Sequence, residues 1–174
     1  MKDLIDWLAD VYSNSHASFA KRLSGSDTFA NGAHALGPRV PVCLVSLLFP
    51  EWSGAREPDR RTRMSLTIDS HEVQRMILAV WHEDWPGSPG SDGRRGGAFL
   101  TGFGDITSPV LDPENTGALV AFAFRHDVAS ASMTCRSWVA TTMEEEDQVE
   151  AMIGPVEPGR SVVQRFTKLA IHSP

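Results

Sequence analysis

Two polar, glycine-rich segments, residues 24–38 and 85–97, hold the most distinctive chemistry of this 174-residue chain. They carry carboxylate, amide, imidazole and guanidinium groups, namely Asp27, Asn31, His34, Asp92, Arg94 and Arg95. An arginine can donate two hydrogen bonds to guanine, an asparagine matches adenine, and an aspartate accepts from cytosine. The segments therefore suit base recognition in a DNA major groove, although polar surface loops are the commoner explanation of such composition.

Lysine is scarce, and its positions bear on DNA cleavage. The chain has only Lys2, Lys21 and Lys168, and none completes the Asp-or-Glu-x-Lys triplet common in metal-dependent nucleases. Phe19 and Phe166 stand where the acidic residue of such a triplet would be. The sequence thus predicts a chain without nuclease activity of its own and without a catalytic residue or a bound metal.

Other catalytic sites have weaker support. A complete metal-dependent endonuclease with an atypical site, drawn from Asp105, Asp112 and Glu114, stays open as an alternative. Residues 82–84 also offer possible metal ligands, but neighbouring residues of a strand point to opposite faces. The chain has no glycine-x-serine-x-glycine elbow and no phosphate-cradling loop with a Gly-Lys-Ser/Thr ending.

The two cysteines give no sign of a disulfide framework or a zinc site. Cys43 and Cys135 lie far apart, and neither has a second cysteine nearby. Cys43 lies in the apolar segment VPVCLVSLLF and Cys135 in SMTCRSW. Two cysteines far apart in an ordinary domain are expected to be small buried hydrophobic residues.

The net charge of −6 is unevenly distributed. One stretch without Lys or Arg holds six acidic residues, and the rest of the chain balances at 16 basic and 16 acidic side chains. Basic patches are then possible, for example Lys21 and Arg22 with Arg39. Arginine outnumbers lysine thirteen to three, which suits forked recognition of guanine and phosphate. The acidic stretch also leaves open a protein-interaction module.

Length and hydropathy predict one cytoplasmic domain. The chain fits a single core over residues 1–174, with 41% hydrophobic and 22% charged residues. No apolar run reaches the length of a membrane span, and residues 1–10 carry three aspartates where a secretory signal would be positively charged.

The elements that must position the polar segments are mostly short strands. Apolar spacing predicts a helix over 2–12, and proline positions predict a second helix after Pro41, with a buried strand as its alternative. Thr142 and Glu145 form a capping box that predicts a helix over 143–152. Strands are expected over 18–23, 64–69, 74–81, 99–103, 118–124, 133–140 and 162–170. The pattern indicates an α+β, mainly β, barrel-like domain of about seven strands with short flanking helices.

Three blocks of sequence, in the same order, resemble the N-terminal effector domain of EcoRII-like restriction endonucleases, a family to which UbaLAI also belongs. The blocks are WLADVYSNSHASFAKRLSGSDTFANGAHALGPRVPVCLVSLLFP, SPVLDPENTGALVAFAF and WVATTMEEEDQVEAMIGPVEPG. Together they cover about half the chain. The resemblance implies that the chain is a fragment of a longer restriction enzyme, without its catalytic domain.

The same resemblance implies a pseudobarrel of the B-three type found in plant transcription factors, with two arms entering the major groove of 5′-CCWGG. A separate, covalently linked catalytic domain would use Mg²⁺, whereas this domain would need no cofactor. By position the first arm is 24–37 and the second 83–101. The residues expected to bind double-stranded DNA, from resemblance and chemistry together, are Lys21, Arg22, Ser24, Asp27, Thr28, Asn31, His34, Arg39, Asp92, Arg94, Arg95 and Thr101. Because the arms are unlike, we expect one chain per DNA site.

Overall fold

Eight strands and three α-helices make up most of the described chain. The computed structural model describes residues 3–32, 37–55, 60–82, 96–127 and 129–165. The helices are α1 (Leu4–Asn14), α2 (Val42–Leu48) and α3 (Met143–Ile153). The strands are β1 (Ala17–Arg22), β2 (Arg39–Val40), β3 (Arg61–Ile68), β4 (Val73–His82), β5 (Gly97–Thr101), β6 (Leu119–Asp127), β7 (Ser132–Val139) and β8 (Ser161–Arg165).

All eight strands belong to one curled sheet, in the order β2-β5-β4-β3-β7-β6-β1-β8. Every neighbouring pair is antiparallel except β3 and β7, which run parallel. β2 and β8 are the two edges. Curling brings the edges towards each other, because Arg165 at the end of β8 donates to the Cys43 carbonyl, 2.6 Å away, just after β2. The result is the mainly β pseudobarrel that the sequence predicts, with an open seam between its edges.

Strand alternation divides the apolar residues between two cores. On the concave side, Phe19 of β1 packs against Phe122 and Phe124 of β6, with ring centroids 5.1 and 5.9 Å away. On the convex side, the intervening residues of both strands, such as Ala20 and Ala121, lie beneath α1 and α3. Because residues 119–124 of β6 are covered on both faces, they form a continuous apolar run rather than an alternating one.

A buried polar network ties α1 to the convex face. Asp69 accepts a hydrogen bond from Trp7 Nε1 at 2.9 Å and one from Arg136 Nε at 2.8 Å. Arg136 also pairs with Asp10 of α1, and the indole of Trp7 lies 5.9 Å from that of Trp138. The network satisfies Asp69 without exposing it, and it leaves the concave seam free of α1.

The capping box and most elements agree with the sequence prediction. Thr142 Oγ1 accepts from Glu145 N at 3.2 Å, and α3 follows. The segment after Pro41 is a helix rather than a strand. One expectation was wrong: Cys43 is exposed, because it lies on the outer face of α2. The eight strands of the described residues agree with the expected number of about seven, and they include β2, which at two residues is too short to show alternation. Cys135 is buried as expected. The predicted strand over 162–170 is confirmed up to Arg165, and the rest lies outside the described residues.

Candidate nucleic-acid interface

A cleft of about 950 Å³ opens at the seam of the pseudobarrel. Its walls come from the roots of both polar segments and from the turn before β8. The residues that bear on its chemistry are Lys21, Ser26, Asp27, Arg39, Trp81 and Arg160. Four basic residues line the described part of the cleft, once Arg22 is included, against one acidic residue, Asp27. Its lining is therefore more basic than the chain as a whole.

The root of the first arm is built around a buried carboxylate. Asp27 is only 3% exposed, and its Oδ2 accepts from the Ser24 amide and hydroxyl, both at 2.7 Å. Lys21 Nζ lies 2.6 Å from the same oxygen. Lys21 reaches it because alternation along β1 places Lys21 on the concave side with Phe19. These groups hold the chain as it leaves β1, and they are paired with one another.

The middle of the first arm is a short 3-10 turn, Phe29–Asn31, whose N-cap is Thr28. Thr28 is buried, and its hydroxyl lies 2.8 Å from that of Thr116. Asn31 is exposed and packs over Gly25, where an added Cβ would come within 2.9 Å of the Asn31 amide nitrogen. Among the predicted DNA contacts of this arm within the described residues, Ser24 and Asn31 are exposed, whereas Asp27 and Thr28 are buried.

The described ends of the two predicted arms meet at one pair of strands. β2, which ends the first arm, pairs with β5, which follows the second. Leu100 N donates to the Pro38 carbonyl at 2.9 Å. Gly37 has a φ of +84°, and a Cβ there would overlap the Leu100 carbonyl oxygen, so only glycine fits without displacing the backbone.

Arg39 reinforces this shared root. Its Nη2 donates to the Gly96 carbonyl at 3.2 Å, and its guanidinium lies 6.0 Å from the ring centroid of Phe99. A Cβ at Gly97 would come within 2.6 Å of Arg39 Nε. Arg39 therefore lies between the ends of both arms, where it lines the cleft and joins its two walls.

Arg22 also lines the cleft, but its guanidinium turns towards α3, on the opposite face of β1 from Lys21. Its Nη1 lies 2.6 Å from Glu146 Oε2 and its Nη2 lies 3.0 Å from Glu150 Oε1. Nε donates to the Val156 carbonyl at 2.9 Å, and the hydrogen bond with Glu146 raises the pKa of Arg22. The sequence predicts Arg22 as a DNA contact, whereas the structure shows its guanidinium engaged within the protein. The acidic helix is correspondingly close to this arm rather than remote from it.

Of the remaining predicted contacts, Thr101 alone lies within the described residues. Thr101 lies in β5, which begins at Gly97. The second predicted arm therefore ends before residue 101, which is the limit that the resemblance implies. Its hydroxyl donates to the Leu78 carbonyl at 3.3 Å, and it does not line the cleft. His34, Asp92, Arg94 and Arg95 lie outside the described residues. Sequence reasoning missed Arg160 and Trp81, although the Gly159-Arg160 turn after the acidic helix was a usable signal.

Comparison with known proteins identifies the family of this chain. The family model described as "Restriction endonuclease EcoRII, N-terminal" matches residues 13–167, which is most of the chain. The chain belongs to the EcoRII N-terminal family. It is 28% identical over 159 residues to the type II restriction enzyme EcoRII of Escherichia coli, an alignment covering 88% of this chain. The chain spans only 37% of the length of that enzyme.

A solved structure shares the fold of this family member. The crystal structure of the UbaLAI restriction endonuclease B3 domain with cognate DNA matches with a TM-score of 0.57. The match covers 94% of this chain and 99% of that domain at 17% identity. The pseudobarrel is therefore of the B3 type. At 17% identity, the chain is not the UbaLAI domain itself.

Asp105 and Asp112, two of the three acidic residues considered for metal-dependent catalysis, serve local structure. Asp105 accepts from the Thr107 amide at 2.9 Å and from its hydroxyl at 2.6 Å, and these bonds lower the pKa of Asp105. Asp112 caps the 3-10 turn Pro113–Asn115 through the Glu114 amide. Within the described ranges, no group of three or more His, Cys, Asp or Glu side chains is placed to hold a metal ion.

The acidic stretch of α3 is also partly engaged inside the fold. Glu145 accepts from the Thr141 amide at 2.6 Å and from Trp138 Nε1 at 3.2 Å. With Glu146 and Glu150 bound to Arg22, three carboxylates of this stretch have internal partners.

In the part of the chain that the structure describes, no helix is long and apolar enough to cross a membrane.

Proposed function

We propose that this chain is a sequence-specific, double-stranded-DNA-binding effector domain of a type II restriction endonuclease, with 5′-CCWGG as its site. The observation that carries the proposal is the convergence of both arm roots on one basic cleft. Membership of the EcoRII N-terminal family supports it, as does the shared fold of a B3 domain crystallised with cognate DNA.

The cleft geometry suits a division of labour between backbone and base contacts. Basic and polar groups at the arm roots would meet phosphates, which position a protein on DNA without reading its sequence. The arms themselves would enter the major groove, where each base pair presents a distinct hydrogen-bonding pattern. Rigid roots matter here, since base readers must be held in register. Gly37 and Arg39 supply that rigidity by fixing both arms to β5.

One chain would bind each site. A symmetric dimer presents identical elements to both halves of a nearly twofold-symmetric sequence, whereas one domain with two unlike arms must use different residues on each half. We assign Asn31 and His34 to one half, and Arg94 and Arg95, with Asp92, to the other. Of these, Asn31 is exposed on the arm that the structure describes.

Cleavage would reside in another part of the parent enzyme. None of the three lysines completes the common nuclease triplet, and the chain covers little more than a third of the E. coli enzyme. We infer a covalently linked catalytic domain that uses Mg²⁺, and a cytoplasmic restriction system as the setting. This domain would bind DNA without a cofactor and would modulate cleavage by its partner domain.

Titration of labelled CCWGG and scrambled duplexes at two salt concentrations tests this function. We expect tight binding to CCWGG, one chain per duplex, and no cleavage product with Mg²⁺. Arg94→Ala or Arg95→Ala should cost about 1 to 3 kcal/mol on CCWGG and much less on scrambled DNA, as for a lost guanine contact. Equal affinity for both duplexes, or specific cleavage by the purified chain, would overturn the proposal.

A further inference from the structure

The cleft has a third wall that neither arm supplies. Gly159, Arg160 and Ser161 line it from the turn between α3 and β8. Arg160 N donates to the Glu157 carbonyl at 3.1 Å, and Gly159 has a φ of +76°, which closes a tight turn. The Arg160 side chain is 79% exposed. The turn thus presents a solvated guanidinium at the rim of the seam.

This turn is held in place by Arg22. Arg22 Nε donates to the Val156 carbonyl at 2.9 Å, while Glu150 Oε1 accepts both from the Val156 amide and from Arg22 Nη2 at 3.0 Å. Val156 itself is buried beneath the convex core. The amide and the carbonyl of Val156 are therefore both held by hydrogen bonds just before the turn. The chain enters the turn that carries Arg160 from a fixed residue.

The basic residues of the cleft differ in how strongly they are engaged. Arg22 has two carboxylates, and Lys21 lies against the buried Asp27. Among the described residues, Arg160 pairs only with Glu157, at 3.5 Å, and the two side chains are 79% and 67% exposed. Exposed pairs of this kind contribute little, so Arg160 can exchange its partner for another anion at small cost.

We propose that Arg160 binds a phosphate of the DNA backbone and that Arg22 is a positioning residue that holds the turn carrying it. This inference rests on the proposed DNA-binding function and adds a phosphate-binding position outside both arms. A guanidinium matches phosphate geometry with two parallel donors. Such a contact strengthens binding to any duplex sequence, and Glu157 beside it should weaken binding by repelling the same phosphate.

Arg160→Ala tests the contact, with Arg125→Ala as the matched control. Arg125 is also exposed, but it lies towards the opposite end of β6 from the cleft. We expect Arg160→Ala to weaken CCWGG and scrambled duplexes by the same factor and to reduce the salt slope by about 0.9. The factor by which Arg160→Ala weakens binding at 50 mM salt should accordingly be roughly threefold smaller at 200 mM salt. Glu157→Gln should strengthen binding to both duplexes.

The positioning role of Arg22 has its own test. Arg22→Lys should weaken binding in the wild-type background but change it little once Arg160 is alanine, with thermal melting reporting the fold. Full additivity of the two substitutions would contradict the positioning role. If Arg160→Ala matches the Arg125→Ala control, or weakens CCWGG alone, the phosphate contact is refuted. If the wild-type chain binds neither duplex, the DNA-binding function itself fails.

Discussion

Asp27→Ala separates a structural role of the first arm from a base-reading role. The substitution removes the acceptor of two hydrogen bonds from Ser24 and the partner of Lys21, at 2.6 to 2.7 Å. Removing one member of a buried ion pair typically costs about 3 to 5 kcal/mol. Lys21 is partly exposed and can regain water, which places the expected loss at or below the lower limit of that range, at about 2 to 3 kcal/mol.

Thermal unfolding measures this loss directly. For a domain of this size, 1 kcal/mol shifts the melting temperature by about 2 to 4 °C, so Asp27→Ala should melt about 4 to 12 °C below wild type. Ser26→Ala is the matched control, since Ser26 is exposed on the same arm and should melt near wild type. A double-mutant cycle with Lys21→Met should give a coupling of about 0.5 to 3 kcal/mol.

Titration of the same variants with DNA distinguishes the two roles of Asp27. If Asp27 organises the arm, its removal should lower affinity for CCWGG together with stability, and Asp27→Asn should fall between Asp27→Ala and wild type. If Asp27 instead reads a cytosine, Asp27→Ala should melt near wild type and lose only its preference for CCWGG. The second outcome would show that the buried pair with Lys21 does not stabilise the arm, and it would refute the structural role of Asp27.

Three further outcomes are expected. Gly37→Ala should lower affinity for CCWGG and stability together, because its Cβ would overlap the Leu100 carbonyl oxygen; wild-type binding and melting would contradict the shared root. Cys43 should react with a thiol reagent in the folded protein, whereas Cys135 should react only on unfolding, since burial raises the pKa of its thiol. Thr142→Ala should destabilise the domain by about 1 kcal/mol in chemical denaturation, through loss of the N-cap of α3, and an unchanged midpoint would refute the cap.

Local chemistry made most elements predictable from sequence. The capping box located the start of α3, and the turn sequence ahead of β6 preceded a strand as expected. Elements without a local signature were missed. β2 consists of Arg39 and Val40 alone, and only its pairing with Phe99 and Ala98 makes it a strand. Cys43 has apolar neighbours in sequence, yet the helix turns it towards solvent.

For the adjacent residues Lys21 and Arg22, the sequence indicated basic residues at the site but not the direction of each side chain. Composition groups Lys21 with Arg22 as one basic patch. In β1, however, they point to opposite faces, Lys21 towards Asp27 in the cleft and Arg22 towards Glu146 and Glu150 of α3. Phe19 marks the concave face, so two-residue periodicity alone separates the pair. The identity of the partners required the fold, since α3 lies more than 120 residues away in the chain.

The site itself depends on the least predictable element. The first predicted arm lies between β1 and β2, and the second follows β4, so nothing in the sequence places their roots side by side. Pairing of the two-residue β2 with β5 does so, and Gly37 and Arg39 secure it from either side of Pro38. Because both arms are fixed to one strand, a change in either root should disturb the other arm. Base recognition by this domain would then depend on the shared root as a unit, rather than on two independent loops.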